Sequence, residues 1–323
     1  MLALFRNQYL FSYILLLAYC FIIKIGFLFF PNGAQFNYQK YYSSFSDILG
    51  RPNLNFLISV GIIFLQSIWF NYIVSKTKVL DEKSLGPGMV FCTLSTLFVE
   101  FNYLNLPLMV NFGILFLFDQ LVSLQNKSYS QGRYFNIGFI SGLLGMVHPD
   151  FLVLLPISIF CMLAIKPILF RELIIFLLAF ITPFYFLFGI GYLINQLPKI
   201  DIRDHFLQFK FALLPLNQPN VIVLGCSTLA LLIYSFIQNR NLARFTSVRI
   251  KITMEWFFVF SLGLGFITTF SHGNDLSTLF YMSVPFSFYL SLFFFRIKRN
   301  SLAEFIHFVF LSLIILFELL PHT

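Results

Sequence analysis

Long apolar runs separated by short polar connections make up most of the chain. A helix crosses a bilayer with about 20 apolar residues, and with fewer where neighbouring helices cover it. The pattern therefore predicts an all-α, polytopic transmembrane bundle of eleven spans in a single integral membrane domain over residues 1–323. The predicted spans are 10–30, 54–74, 87–101, 107–123, 134–147, 150–165, 171–194, 220–237, 255–270, 277–295 and 303–320.

Basic residues divide the predicted loops into two alternating sets. One set holds fifteen of the 21 Lys and Arg residues. These fifteen are Arg6, Lys76, Lys78, Lys83, Lys127, Arg133, Lys166, Arg171, Arg240, Arg244, Arg249, Lys251, Arg296, Lys298 and Arg299. Short basic loops resist translocation, so this set is predicted to lie inside, with the amino terminus inside and the carboxyl terminus outside. The alternation also accounts for the net charge of +8, and no nucleic-acid partner is predicted.

Residues 134–165 have two interpretations. They can form one long helix kinked at Pro149, or two short helices that meet at His148-Pro149-Asp150. A fused helix would move nine basic residues of the later loops to the outside, so the charge pattern favours two helices. The same reasoning separates span 87–101 from span 107–123. Short spans such as these are expected to tilt, to pack within the bundle, or to reach only part of the way across.

The composition excludes an ordinary soluble domain. The chain is 59% apolar and 11% charged, whereas soluble domains average about 45–50% apolar and about 25% charged residues. Its 4 cysteines lie within apolar runs without close spacing, so they predict neither a disulfide framework nor a metal site. The predicted location is the inner (cytoplasmic) membrane, with the lipid bilayer as the surrounding partner. No motif names a cofactor.

Polar residues of the predicted outer loops form the main candidate for chemistry. They are Asp47, Arg51, Glu100, His148, Asp150, Asp201, Arg203, Asp204, His205, His272 and Asp275. His–Asp pairs relay protons or hold metals, and Arg grips phosphate in a bidentate way. The spacings match no metal signature, and the same residues also fit an ordinary membrane–water boundary.

Within the spans, a few polar or small residues have two interpretations each. Lys24 lies about 10 Å before the end of its helix and is expected to snorkel to the outer headgroups, or else to hold a lipid phosphate. Gln66 and Asn71 can line a cavity or bond to a neighbouring helix. The spacing of Gly138 and Gly142 allows close approach of another helix.

The middle of the chain carries a pattern of short motifs. It runs from Asn136-Ile137-Gly138-Phe139-Ile140-Ser141-Gly142 through His148-Pro149 to Lys166-Pro167 and Phe170-Arg171-Glu172. Over residues 1–240 this resembles a family of polytopic inner-membrane proteins from Bacteroidota, in which an N-x-G-F-x-x-G helix and an R-P-F-x-W-R-E turn recur. Lys166 and Leu169 replace the Arg and the Trp of that turn. Members are sometimes labelled β-carotene monooxygenases, but this sequence has no evident iron-binding histidine set.

The arrangement of spans is also distantly similar to the GT-C class of membrane glycosyltransferases. That resemblance implies transfer of a sugar from a polyprenyl-phosphate lipid at the outer, periplasmic face. It implies that Asp47 is the base or a metal ligand, and that Arg51 or Arg203 holds the phosphate. The first outer loop has a single carboxylate where the class usually has an acidic pair.

Two hypotheses follow, with a third behind them. The first is a GT-C-like enzyme with Asp47, His148 and Asp150 as catalytic residues. In it, Lys24, Arg51 and Arg203 are the lipid-phosphate-binding residues. The second is a non-enzymatic membrane subunit that packs against other inner-membrane proteins in an envelope-assembly or protein-secretion complex. A secondary transporter is disfavoured because few polar groups are expected inside the bundle.

Overall fold

The computed structural model describes residues 5, 10–29, 52–80, 84–102, 104–126, 131–195, 219–243, 247–270, 276–296 and 300–319. These residues are mostly helical and include no strand, which confirms the all-α class. The α-helices of the described residues are α1 Leu10–Phe29, α2 Pro52–Thr77, α3 Gly86–Leu94, α4 Leu106–Asn126, α5 Gln131–Val147, α6 Leu154–Ile165, α7 Phe170–Leu193, α8 Pro219–Ala243, α9 Val248–Phe270, α10 Ser283–Arg296 and α11 Asn300–Leu319. Short 3-10 helices occupy Val99–Asn102, Pro149–Val153 and Leu276–Met282.

Five helical stretches are long and apolar enough to cross a membrane. They are Leu54–Thr77, Leu106–Gln125, Phe170–Leu193, Val248–Thr269 and Ser277–Phe295. Each coincides with a predicted span. Shorter apolar helical stretches lie at Phe11–Lys24, Pro149–Ile165, Gly225–Ser235 and Ser301–Ile315.

The chain folds into two compact units. The first, here the amino-terminal unit, comprises Met1–Met109, Pro215–Leu242 and Phe286–Thr323. The second, here the central unit, comprises Val110–Leu214 and Ala243–Pro285. A single integral membrane domain over 1–323 stays a prediction.

The predicted third span is broken in the amino-terminal unit. Its helix α3 has 9 residues, all buried, and ends at Leu94. At about 1.5 Å rise per residue, α3 covers only about 13 Å, so the prediction of a continuous helix over 87–101 is wrong. Beyond Leu94 the side chains of Ser95 and Thr96 donate hydrogen bonds to carbonyl oxygens three residues back. Such side-chain bonds supply donors to carbonyl groups at the end of an interrupted helix.

Despite the break, residues 86–104, here called the broken segment, follow α2 in the antiparallel direction. Gly88 lies against the Ser67 carbonyl, where an added Cβ would be 3.0 Å from the oxygen. Further along the segment, the Leu104 amide donates to Asn55 Oδ1 at 2.8 Å. Twelve residues of α2 separate these two contacts, or about 18 Å of helix. The broken segment therefore extends along α2 as a membrane-spanning helix would, although it is not one continuous helix.

Helices α5 and α7 of the central unit pack in parallel. An added Cβ at Gly138 would overlap the Phe176 carbonyl, and one at Gly142 would overlap the Phe180 carbonyl. The two contacts advance by four residues on each helix in the same direction, which fixes the parallel orientation. They also confirm that the small-residue face of α5 permits close approach.

The parallel packing requires the chain to reverse twice between α5 and α7. The first reversal occurs at His148, whose backbone is extended at φ −143° and ψ 120°. The ring of Pro149 clashes with a helical conformation of the residue before it, which explains why α5 ends here. The predicted break at His148-Pro149-Asp150 is confirmed. A single fused helix over 134–165 would run antiparallel to α7, contrary to the packing observed.

Candidate functional site

A His–Asp pair occupies the turn between α5 and α6. The Nδ1 atom of His148 lies 3.1 Å from Oδ2 of Asp150. The Asp150 side chain is buried, at 5% exposure, whereas the His148 side chain is 28% exposed. The carboxylate is thus held beneath an imidazole that solvent or a substrate can reach. The structure brings together these two predicted catalytic residues.

Neighbouring aromatic rings support the pair. The His148 ring lies edge-on to Phe151, with 6.4 Å between ring centroids. Phe151 in turn packs edge-on against Tyr281 of the same unit, at 4.9 Å, and is fully buried. Edge-to-face packing of this kind restricts ring orientation. The imidazole is therefore positioned by a carboxylate on one side and by a buried aromatic pair on another.

The pair is not a helix cap. His148 is the N-cap residue of the 3-10 helix Pro149–Val153, but its side chain makes no capping hydrogen bond. The turn is instead secured by the backbone: the His148 amide donates to the Leu144 carbonyl and the Phe151 amide to the His148 carbonyl, both at 3.0 Å. An imidazole beside a carboxylate can accept a proton, because the carboxylate stabilises the imidazolium that forms.

Lys24 belongs to the amino-terminal unit and is buried there. Its side chain is 1% exposed, and its Nζ donates a hydrogen bond to the Phe101 carbonyl at 3.2 Å. The expectation that Lys24 snorkels to the headgroups is therefore wrong. The ammonium lies at the carboxyl end of the 3-10 helix Val99–Asn102, where the helix dipole favours a cation. Binding of a lipid phosphate by Lys24 stays a prediction.

The amino-terminal unit buries more polar side chains than the sequence indicated. Ser59 donates to the Asn102 carbonyl at 2.9 Å, and Gln66 donates to the Leu108 carbonyl at 2.7 Å. The expectation that Gln66 bonds to a neighbouring helix is confirmed. These side chains bond to backbone of the broken segment and of α4. Interrupted helices need such partners inside a membrane protein.

The other predicted site residues fall elsewhere. Asp47, Arg51 and Arg203 lie outside the described residues, as do Asp201, Asp204, His205, His272 and Asp275. The Glu100 side chain is likewise outside the described part. Within the described part of the chain, no group of three or more His, Cys, Asp or Glu residues is placed to hold a metal ion.

An all-α structure with five helical stretches long and apolar enough to cross a membrane is consistent with a multi-pass membrane protein. No family model, curated protein or solved structure matches the chain.

Proposed function

We propose that the chain is an inner-membrane enzyme, GT-C-like in arrangement, which transfers a sugar or a related group from a polyprenyl-phosphate donor at the outer face. The observation that supports the proposal is the His148–Asp150 pair. A buried carboxylate 3.1 Å from Nδ1 of a part-exposed imidazole suits a general base. The donor class comes from the resemblance to membrane glycosyltransferases.

The proposed topology has eleven spans with the amino terminus inside. The parallel packing of α5 and α7 supports it, because the two helices must then begin on the same side of the membrane. The basic residues near the two helix starts, Arg133 for α5 and Lys166 and Arg171 for α7, support an inside position for both by the positive-inside rule. The His148 turn, at the other end of α5, then faces outside.

In the proposed reaction, an acceptor hydroxyl gives its proton to Nε2 of His148. The hydroxyl oxygen then forms a bond to the anomeric carbon of the sugar, and the bond from that carbon to the phosphate oxygen breaks. The polyprenyl phosphate leaves with the electron pair. Asp150 stabilises the imidazolium. By resemblance, Arg51 and Arg203 hold the phosphate, and Asp47 is the alternative base.

The experiment measures loss of a labelled sugar from a polyprenyl-phosphate donor by the purified protein in lipid nanodiscs. His148→Asn and Asp150→Asn are expected to reduce the rate by about 100-fold or more, the range for a general base. Asp119→Asn is the matched control, since this substitution makes the same chemical change on α4, away from the pair. Full activity in both pair variants would contradict the role of His148. Loss of activity in Asp47→Asn alone would make Asp47 the base.

A non-enzymatic subunit is the second candidate, favoured by the surface of α7. In its most apolar 18-residue stretch, only 22% of α7 is buried. Large side chains including Tyr185, Tyr192 and Leu193 are more than two-thirds exposed, at 72%, 72% and 81%. Such a face contacts either lipid or a partner helix. Purification in mild detergent distinguishes the subunit from the enzyme. A subunit would copurify with a stoichiometric membrane partner, and an isolated enzyme would not.

The third candidate, a secondary transporter, gains little from the buried polar residues of the amino-terminal unit. Ser59 and Gln66 are occupied by backbone carbonyls. Ser95 and Thr96 bond to carbonyls of their own segment. These side chains stabilise the broken segment, so they do not support a transport path.

A further inference from the structure

Two buried cysteines meet between α1 and the broken segment. Cys20 and Cys92 are 72 residues apart in the chain, yet their Sγ atoms lie 2.6 Å apart. Both side chains are buried, at 2% and 1% exposure. The sulfur atoms of a disulfide are about 2.05 Å apart, so the two thiols lie close to bonding distance. Sequence reasoning missed the pair because nothing in their spacing relates them.

Contacts on either side hold the two cysteines in register. One residue away, Tyr19 Oη and Thr93 Oγ1 share a hydrogen bond of 2.8 Å. One helical turn further along α1, Lys24 Nζ donates to the Phe101 carbonyl at 3.2 Å. The meeting of the two thiols is therefore part of a continuous interface between α1 and the broken segment.

We propose that Cys20 and Cys92 form a disulfide that fastens α1 to the broken segment. The bond forms by exchange with a disulfide oxidant, either a protein disulfide or a small-molecule one. The thiolate of one cysteine attacks an oxidant sulfur and releases the first oxidant thiolate. The thiolate of the second cysteine then attacks that mixed disulfide and releases the other. The two cysteines lose two electrons, the oxidant is reduced to two thiols, and these thiols take up the two protons.

The burial of both thiols sets the order of events. An oxidant cannot reach them once α1 and the broken segment have packed, so the exchange precedes that packing. The completed bond encloses α2 and the predicted first outer loop, with Asp47 and Arg51, in a covalent ring. A crosslink of this length restricts the unfolded chain and so favours the folded one.

The other two cysteines supply the controls. Cys161 is buried in the central unit, and Cys226 is exposed on α8. Cys226→Ser is expected to leave the proposed bond intact. Cys92→Ser removes it with the smallest change of side chain.

The experiment cuts the chain between the two cysteines. A protease site is inserted in the connection between α1 and α2, and the full-length protein is produced in a bacterial inner membrane. It is isolated without reductant, alkylated during lysis, cleaved, and run on denaturing gels. The wild type and Cys226→Ser are expected to stay as one band without reductant and to separate into two with it. Cys92→Ser is expected to separate in both lanes.

Separation of the wild-type fragments without reductant would overturn the proposal. Fragments of Cys92→Ser that stay joined would also overturn it, since another pair would then hold them. Peptide mass spectrometry of the unreduced wild type provides a readout that does not depend on any variant folding. It is expected to find one crosslinked peptide containing Cys20 and Cys92, and a peptide that joins either one to Cys161 or Cys226 would contradict the assignment.

Discussion

The Nζ atom of Lys24 lies 3.2 Å from the carbonyl oxygen of Phe101, inside the amino-terminal unit. A lysine in an apolar helix is ordinarily expected to extend toward water. Here the broken segment ends in a short 3-10 helix beside α1. The end of that helix has carbonyl groups that need hydrogen-bond donors. The ammonium group of Lys24 therefore stabilises the broken segment.

Replacement of Lys24 tests this relationship. Lys24→Met leaves the buried Phe101 carbonyl without that donor, and we expect the free energy of unfolding to fall by about 1–3 kcal/mol. Denaturant titration in mixed micelles measures the change. Lys251→Met makes the same substitution at an exposed position of α9 and is expected to be nearly neutral. A lysine that snorkelled would give the opposite pattern, with Lys24→Met neutral or stabilising.

The contact of α5 with α7 predicts a penalty for any side chain at Gly142. In Gly142→Ala the new methyl group would overlap the Phe180 carbonyl, so the two helices must separate. We expect a loss of about 1–3 kcal/mol, the usual cost of overpacking. The measurement is the unfolding free energy in detergent.

The control for Gly142→Ala is Gly189→Ala in α7. An added Cβ at Gly189 meets no atom within 4 Å. This variant is expected to be neutral or to gain up to about 1 kcal/mol, because alanine favours a helix over glycine. Equal effects of the two substitutions would show that helix propensity, and not the contact, governs stability.

The reversal at His148 predicts which helix ends share a side of the membrane. Single cysteines at Gly132, Met146 and Leu169 are introduced in a Cys226→Ser background. A membrane-impermeant maleimide is expected to label the first and third from the same side, and the second from the opposite side. Labelling of Gly132→Cys and Leu169→Cys from opposite sides would mean that α5 and α6 form one continuous span.

A part-buried hydrogen-bond network in the central unit gives a further prediction. Gln125 donates to the Arg249 carbonyl at 2.7 Å and accepts from the Trp256 indole at 3.3 Å. Gln125→Leu removes these two bonds and a third that Gln125 accepts from Thr253 Oγ1 at 2.9 Å, and we expect the free energy of unfolding to fall by about 1–3 kcal/mol. In a Trp69→Phe background, the fluorescence of Trp256 is expected to shift as its surroundings change. Gln131→Leu, at the exposed start of α5, should change neither quantity.

The sequence by itself determined the class of protein and the places where helices occur. Predicted span 54–74 became Pro52–Thr77, and 277–295 became Leu276–Met282 followed by Ser283–Arg296. This succeeded because the length and hydropathy of a spanning helix are local properties. The break at His148 was also predictable, since it depends on a neighbouring proline and on the charge of nearby loops.

Only the tertiary structure decided which helices pack together and in which direction. The burial of Lys24 and the meeting of Cys20 with Cys92 both depend on contacts between residues more than 70 positions apart. The His148–Asp150 pair lies between these cases. Its two residues were evident from their spacing, but the burial of one and the exposure of the other arise from packing around the turn. The periodicity of apolar residues along a chain indicates whether each residue faces an apolar or a polar environment. Which residue it contacts is decided only when distant segments pack together.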